Sequence, residues 1–154
     1  MQYGDLFEYN AWANAAVLAA LDQMSEEQLR AEMPELGGSA LGLLEHTAQV
    51  EAAFLSLMTG AARPERRSGL AYGDVRSLLT ATDAAFIAAL PALEPRLAEP
   101  LEVPWFGRSF EVGQALMQVG THSVQHRAGV CAGIGRAGFQ APGLDYIMWL
   151  NAHR

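Results

Sequence analysis

Gly120-Thr121-His122-Ser123-Val124-Gln125-His126-Arg127-Ala128-Gly129-Val130 sets two histidines four residues apart inside a segment with helical apolar spacing. On a helix that spacing puts both imidazoles on one face, one turn apart, where they can close on a single divalent metal. A helical wheel from Gln114 to Ala137 brings Ala115, Val119, Val130 and Gly133 within roughly 80° of His122, with His126 among them. Gln118, Thr121, Gln125 and Arg136 fall on another side. The reading predicts a long helix whose two histidines replace apolar residues in the core-facing stripe. A buried imidazole without a partner is costly, and a metal satisfies it.

Other segments share the helical period. From Tyr3 to Met24, residues such as Leu6, Phe7, Trp12, Ala13, Val17 and Leu21 recur at that spacing. Ser25 and Gln28 then have the spacing of a capping box, and Met24 and Leu29 that of a hydrophobic staple. Pro34, Gly37 and Gly38 interrupt the chain, and Ser39 is placed to cap a second long helix, Ala40 to Met58, ended by Gly60. A third is expected from Asp74 to Leu90, with Val75, Leu78, Leu79, Thr82, Phe86 and Leu90 inward and Pro91 marking its end. Between Ala92 and Val112, Leu101-Glu102-Val103 and Phe110-Glu111-Val112 alternate around Gly107-Arg108, which predicts a short irregular hairpin. The fourth long helix follows, from Gly113 to Ala137, closed by Gly138, and a short terminal helix spans Tyr146 to Ala152. The expected fold is all-α: one domain over 1–154, a four-helix bundle with a long crossover connection between helices 3 and 4 and a short C-terminal helix.

Composition narrows the function. The chain has 154 residues, enough for a core without staples, and 51% of them are hydrophobic. A net charge of −7 and a pI near 5.0 argue against nucleic-acid partners, which need clustered cations. The one basic cluster, Arg63, Arg66 and Arg67, sits beside Pro64 and Gly69 and reads as a solvated connection. A single cysteine, Cys131, excludes an intrachain disulfide and fits a reducing compartment. MQYGDLFEYN lacks a basic leader followed by an apolar run, and no stretch of about 18 uninterrupted apolar residues exists. The expectation is a cytoplasmic protein with no membrane partner.

His46 joins the pair. On the second helix it lies near Leu43, Val50, Ala53 and Leu57, at the margin of the apolar stripe, so it is placed to project inward. One histidine from one helix and two from another match the way bundles build metal sites. His153, beside the C-terminal residue, reads as an exposed tail residue. Ser123 follows His122, so the zincin His-Glu-x-x-His is absent; Val119 and Ser123 stand where di-iron bundles need glutamates. Three neutral imidazoles leave at least one open coordination position, the pattern of a ligand-exchanging site. The cofactor expected is one divalent metal ion, zinc or nickel, with iron or manganese compatible with the same ligands. Cys131 lies roughly 140° to 180° from both histidines on the wheel, so any thiol would have to arrive as a cosubstrate.

Four pieces of the chain, in order, resemble the DinB/YfiT-like family: Tyr9-Asn10-Ala11-Trp12-Ala13-Asn14, Leu44-Glu45-His46, His122-Ser123-Val124-Gln125-His126-Arg127, and Leu144-Asp145-Tyr146-Ile147. The resemblance spans nearly the full length. It implies a four-helix bundle, His46, His122 and His126 as a metal triad, and a homodimer. Some relatives are S-transferases or isomerases using low-molecular-weight thiols, many have no known reaction, and the family name refers to damage-inducible expression. Many members read H-H-R-G-Q across the last ligand; here Gln125, Ala128 and Gly129 depart from that pattern. Arg127 is placed to hold a substrate anion or to pair with an acid such as Asp5 or Glu8. Three functions remain: a metal-dependent enzyme that activates water or a small thiol, a non-catalytic metal-binding stress or sensor protein, and a plain bundle with hydrogen-bonded histidines.

Overall fold

The structure is a computed structural model and describes residues 3–154. Met1 and Gln2, part of the N-terminal stretch read above as lacking a leader, lie outside the described residues. Four long helices build the bundle: α1 (Tyr3–Leu21), α3 (Ala40–Thr59), α4 (Tyr72–Leu93) and α5 (Val112–Arg136). The short α2 (Glu26–Leu29) and a two-residue ladder of β1 (Glu32–Met33) with β2 (Gly38–Ser39) link α1 to α3. A hairpin of β3 (Pro100–Val103) and β4 (Arg108–Glu111) precedes α5, and α6 (Tyr146–His153) closes the chain.

Local chemistry sets most boundaries. The Ser25 hydroxyl accepts from the Gln28 N–H while the Gln28 side chain accepts from the Ser25 N–H, a complete capping box. Met24 and Leu29, flanking it, are both buried. The Ser39 hydroxyl caps α3 by accepting from the Gly42 N–H (3.0 Å), and Gly60, at φ +72°, ends that helix in a conformation that favours glycine. Helix α4 runs past Pro91 to Leu93, one turn beyond its expected end. Pro91 removes one hydrogen bond, but the Glu94 N–H restores the ladder onto the Leu90 carbonyl, and burial of Leu90 and Leu93 draws the turn onto the core. The hairpin forms with its tip at 104–107, while Val112 belongs to α5, whose N-cap is Glu111.

Helices α1 and α3 each pack on α4 and α5, so α1 and α3 occupy opposite corners. Two apolar clusters follow one another along the bundle axis, and a third, smaller one, Tyr9, Ala13 and Trp149, seats α6 on α1. Of the two along the axis, one gathers Val17, Leu21, Leu44, Val75, Leu79 and Ile134; the other gathers Phe7, Phe54, Met58, Phe86, Leu90 and Leu116, with Phe7 and Phe86 stacked 4.6 Å apart. The order in which each helix visits the clusters fixes its direction. Helices α3 and α4 both run from the first cluster to the second, so they are parallel. The connection expected as a crossover, between the third and fourth long helices, joins opposite corners at one end of the bundle. The segment that returns along the bundle's length is instead 60–71. It descends α3 turn by turn: Gln49 exchanges hydrogen bonds with the Arg67 backbone (2.7 and 2.8 Å), and the Glu45 carboxylate accepts from the Gly69 and Leu70 N–H groups (3.1 and 3.0 Å).

Helix α4, with Arg96 as the far limit, is the one span among the described residues whose length and mean hydropathy, 1.2, suit a membrane crossing. Asp74, Arg76 and Asp83 interrupt it, and Val75, Leu79, Phe86 and Leu90 pack into the bundle.

Candidate metal centre and its cavity

The buried face of α5 is centred on Leu116, Ser123, Val130 and Ile134 rather than on the histidines. His122 and His126 lie at its edge, half-buried, where α5 meets α3. The polar residues that α5 sends into the core are Ser123 and Arg127. This corrects the wheel, whose arc around His122 took in only one flank of the stripe.

His46 projects from α3 into that same seam. Its Nε2 lies 3.1 Å from Nε2 of His122, and one ligand nitrogen from each of the three rings falls within 4.8 Å of the others. Two nitrogens on one tetrahedral zinc, at bonds of about 2.0–2.1 Å, stand about 3.3 Å apart, so the spacing already approaches that of shared coordination. Burial pushes all three imidazole pKa values down, His122 to about 4, with neighbouring imidazoles adding to the effect on His122 and His126 and the Arg66 charge adding to it at His46. At neutral pH the rings are uncharged, the form that ligates. Nδ1 of His122 is buried without a hydrogen-bond partner. Three neutral rings with nitrogens this close fit a single divalent ion.

His46 and His122 stand in the wall of a cavity of about 860 Å³. Its other walls are residues of α3 from Gly42 to Phe54, the returning segment at 63–68, the start of α4 at Asp74, Ser77 and Leu78, and the hairpin tip. Trp105 packs edge-on against Phe54 with centroids 5.2 Å apart, and the Arg63 guanidinium lies 4.5 Å above the Trp105 ring. Arg63, Arg66 and Arg67 are exposed, as expected of a connection, but they line this cavity instead of facing bulk solvent alone. The Glu45 carboxylate, next to His46 in the chain, is taken up by the Gly69 and Leu70 amides and by Gln49.

Between the two apolar clusters lies a polar layer to which all four long helices contribute. The Arg127 guanidinium donates to the side-chain oxygens of Asn10 and Asn14. Those two amides donate onward, Asn10 to Glu51 (3.1 Å) and both to Asp83 (3.0–3.3 Å); the Ser123 hydroxyl donates to Glu51. Burial raises both carboxyl pKa values, and the Glu51 charge helps lift Asp83 to about 7. One Glu51 oxygen and one Arg127 nitrogen remain unpartnered in the core. Arg127 is 2% exposed and does not reach the cavity, so the expectation that it holds a substrate anion gives way to a core role. Its expected partners Asp5 and Glu8 pair instead with Arg154. Glu51 and Asp83 went unnoticed in the sequence. Their signal was there: Glu51 stands at heptad spacing between Leu44 and Met58, and Asp83 lies on the stripe of Leu79 and Phe86, four residues after one and three before the other.

His153 is exposed but stacked on Trp149, 5.2 Å between centroids. Cys131 is half-buried against the first apolar cluster, and burial raises its pKa.

The sequence profile of the DinB family matches residues 1–153. The chain belongs to the DinB family. No curated protein is significantly similar to this DinB-family chain in sequence. Among solved structures, the crystal structure of a DinB-like protein from Bacillus cereus ATCC 10987 superposes with a TM-score of 0.70 at 19% identity, covering 86% of this chain and 90% of that one. At that identity the likeness establishes the DinB fold. The three histidines of this DinB-family bundle, from α3 and α5, stand together at one helix seam.

Proposed function

We propose that the chain binds one divalent metal ion through His46, His122 and His126 and uses it to activate a water or a low-molecular-weight thiol against a small molecule held in the adjoining cavity. The convergence of three uncharged imidazoles, two of them in the wall of a metabolite-sized cavity, carries this reading. Zinc or nickel suits the nitrogen ligands, with iron or manganese next. When bound, such an ion acts as a Lewis acid and lowers the pKa of a coordinated water or thiol toward neutrality. The protein's part is to keep the rings neutral by burial, to leave one side open to the cavity, and to hold the cavity wall in place through Glu45. Cys131 packs into the first apolar cluster, so the thiol would be a cosubstrate.

One observation favours a second reading, a metal-binding stress or sensor protein without turnover. The carboxylate nearest the triad in sequence, Glu45, is saturated by the loop amides and is not free to act as a general base. A homodimer in the cytoplasm belongs to either reading, by family likeness and the lone cysteine. Three large aromatic side chains are used within the chain: Phe7 lies in the core, Trp12 packs beside α6, and Trp105 borders the cavity.

Elemental analysis of untagged protein is expected to show about one metal per chain, lost in the His122→Ala/His126→Ala variant. Wild type that holds no metal and refuses added zinc and nickel would end both readings. A panel of small thiols with epoxides and activated halides separates them: turnover by wild type above that of the variant supports the enzyme, and its absence the sensor.

A further inference from the structure

All ten cationic side chains of this protein are arginines, and their placement is uneven. Arg30, Arg76, Arg96, Arg136 and Arg154 pair with carboxylates, and Arg127 is buried in the polar layer. Arg108 lies over the Phe110 ring. The three that remain, Arg63, Arg66 and Arg67, have no carboxylate partner among the described residues and all line the cavity beside the histidines. They sit on an extended segment fixed by its backbone, through Gln49 at one point and Glu45 at the next, so their side chains are not spent in holding it. Glu45, Glu65 and Asp74 also line the cavity and match the three arginines in number. But the Glu45 carboxylate is turned to the Gly69 and Leu70 amides, none of the three pairs with the loop guanidiniums, and no other cation enters the wall. The rings of Phe54 and Trp105 line the same cavity, with the Arg63 guanidinium 4.5 Å over the Trp105 ring.

We infer that the cavity takes an organic anion with a flat apolar body, its phosphate or carboxylate held by the Arg63, Arg66 and Arg67 loop and its body laid against Trp105 and Phe54, with the other end directed to the histidines. The inference names the substrate class of the site proposed above and rests on that reading for the histidine end only. A guanidinium offers paired donors that match either oxyanion in a bidentate contact, and unpaired cations beside an apolar wall cost least when an amphipathic anion covers both. An uncharged molecule of the same shape gains the ring contacts alone.

The test is calorimetric titration of metal-stripped and zinc-loaded protein with 2-naphthyl phosphate, 2-naphthoate and the neutral 2-naphthol. At least one anion is expected to bind wild type at least about tenfold tighter than naphthol, the gain of one good charged hydrogen-bonded contact. The preference should vanish in Arg63→Gln/Arg66→Gln/Arg67→Gln, whose exposed positions leave the core untouched, and be partly kept in the matching lysine variant. Which anion binds better tells a phosphate ester from a carboxylic acid. Equal binding of all three probes, or a preference that survives the glutamine variant, overturns the proposal. So does a preference present only with zinc and lost in His122→Ala, since the anion then sits on the metal and not on the loop. If wild type takes up no metal but the loop-dependent preference persists, the metal reading falls and this one stands.

Discussion

Arg127 faces two carboxyl groups, Glu51 and Asp83, through a pair of asparagine amides, and all five residues are buried. Removing the cation strands the acids in a medium that cannot solvate them. Arg127→Met is therefore expected to lose about 3–5 kcal/mol in urea unfolding, the usual cost of breaking a buried ion pair. Adding Asp83→Asn should restore part of that, a coupling that a double-mutant cycle reads directly. The pH dependence of Asp83 has a definite sign. Its pKa rises on folding from 3.8 to about 7, so its folded form holds the proton longer than its unfolded form. That contribution to stability is present below about pH 4 and lost as pH climbs through about 7. The Asp83→Asn variant should accordingly gain on wild type between pH 5 and pH 8 in thermal melts; a constant difference would contradict a raised pKa. The histidines act in the opposite sense. Their lowered pKa values give stability above the ordinary imidazole range that is lost as pH falls, for His122 toward about 4.

Two glycines of α5 test how closely the elements pack. A Cβ at Gly133 would stand 2.9 Å from the Ala40 Cβ, which cannot swing aside, whereas one at Gly135 meets nothing within 4 Å. Gly133→Ala should cost about 1–3 kcal/mol from overpacking, less the gain in helix propensity, while Gly135→Ala should gain about 0.5–1 kcal/mol. Opposite shifts of the two melting temperatures check this. Helix existence, the caps at Ser25 and Ser39 and the 100–111 hairpin were legible in the sequence because each depends on residues a few positions apart. So was the meeting of the three histidines, through the four-residue spacing of His122 and His126 and the inward placement of His46. Less was legible wherever distant segments meet. The polar layer around Arg127 draws on three other helices, and the role of the 63–67 arginines depends on a segment pinned by Glu45 and Gln49 of a helix already passed. Pro91 misled for a related reason: the pull of buried Leu93 outweighed a local preference.

For the whole molecule, metal at about 100 times its dissociation constant should stabilise the fold by roughly 2.7 kcal/mol, seen as a chelator-sensitive melting temperature. Because the ligand rings resist protonation, that sensitivity should persist below the ordinary imidazole range and fade toward about pH 4, where His122 itself takes up a proton. Sensitivity already lost at pH 6 would contradict ligation by depressed histidines. The apo chain should still fold, since two apolar clusters bury its helices without help. Light scattering should give twice the chain mass if the family likeness extends to assembly. Glu45 lends the site one more property. It precedes His46 on the same turn of α3 and grips Gly69 and Leu70, so a tug on the loop is a tug on the residue beside a ligand. Any cavity guest that alters the affinity for metal must then have its own affinity altered by metal through the same factor, and titrating each in the presence of the other would measure a single number twice.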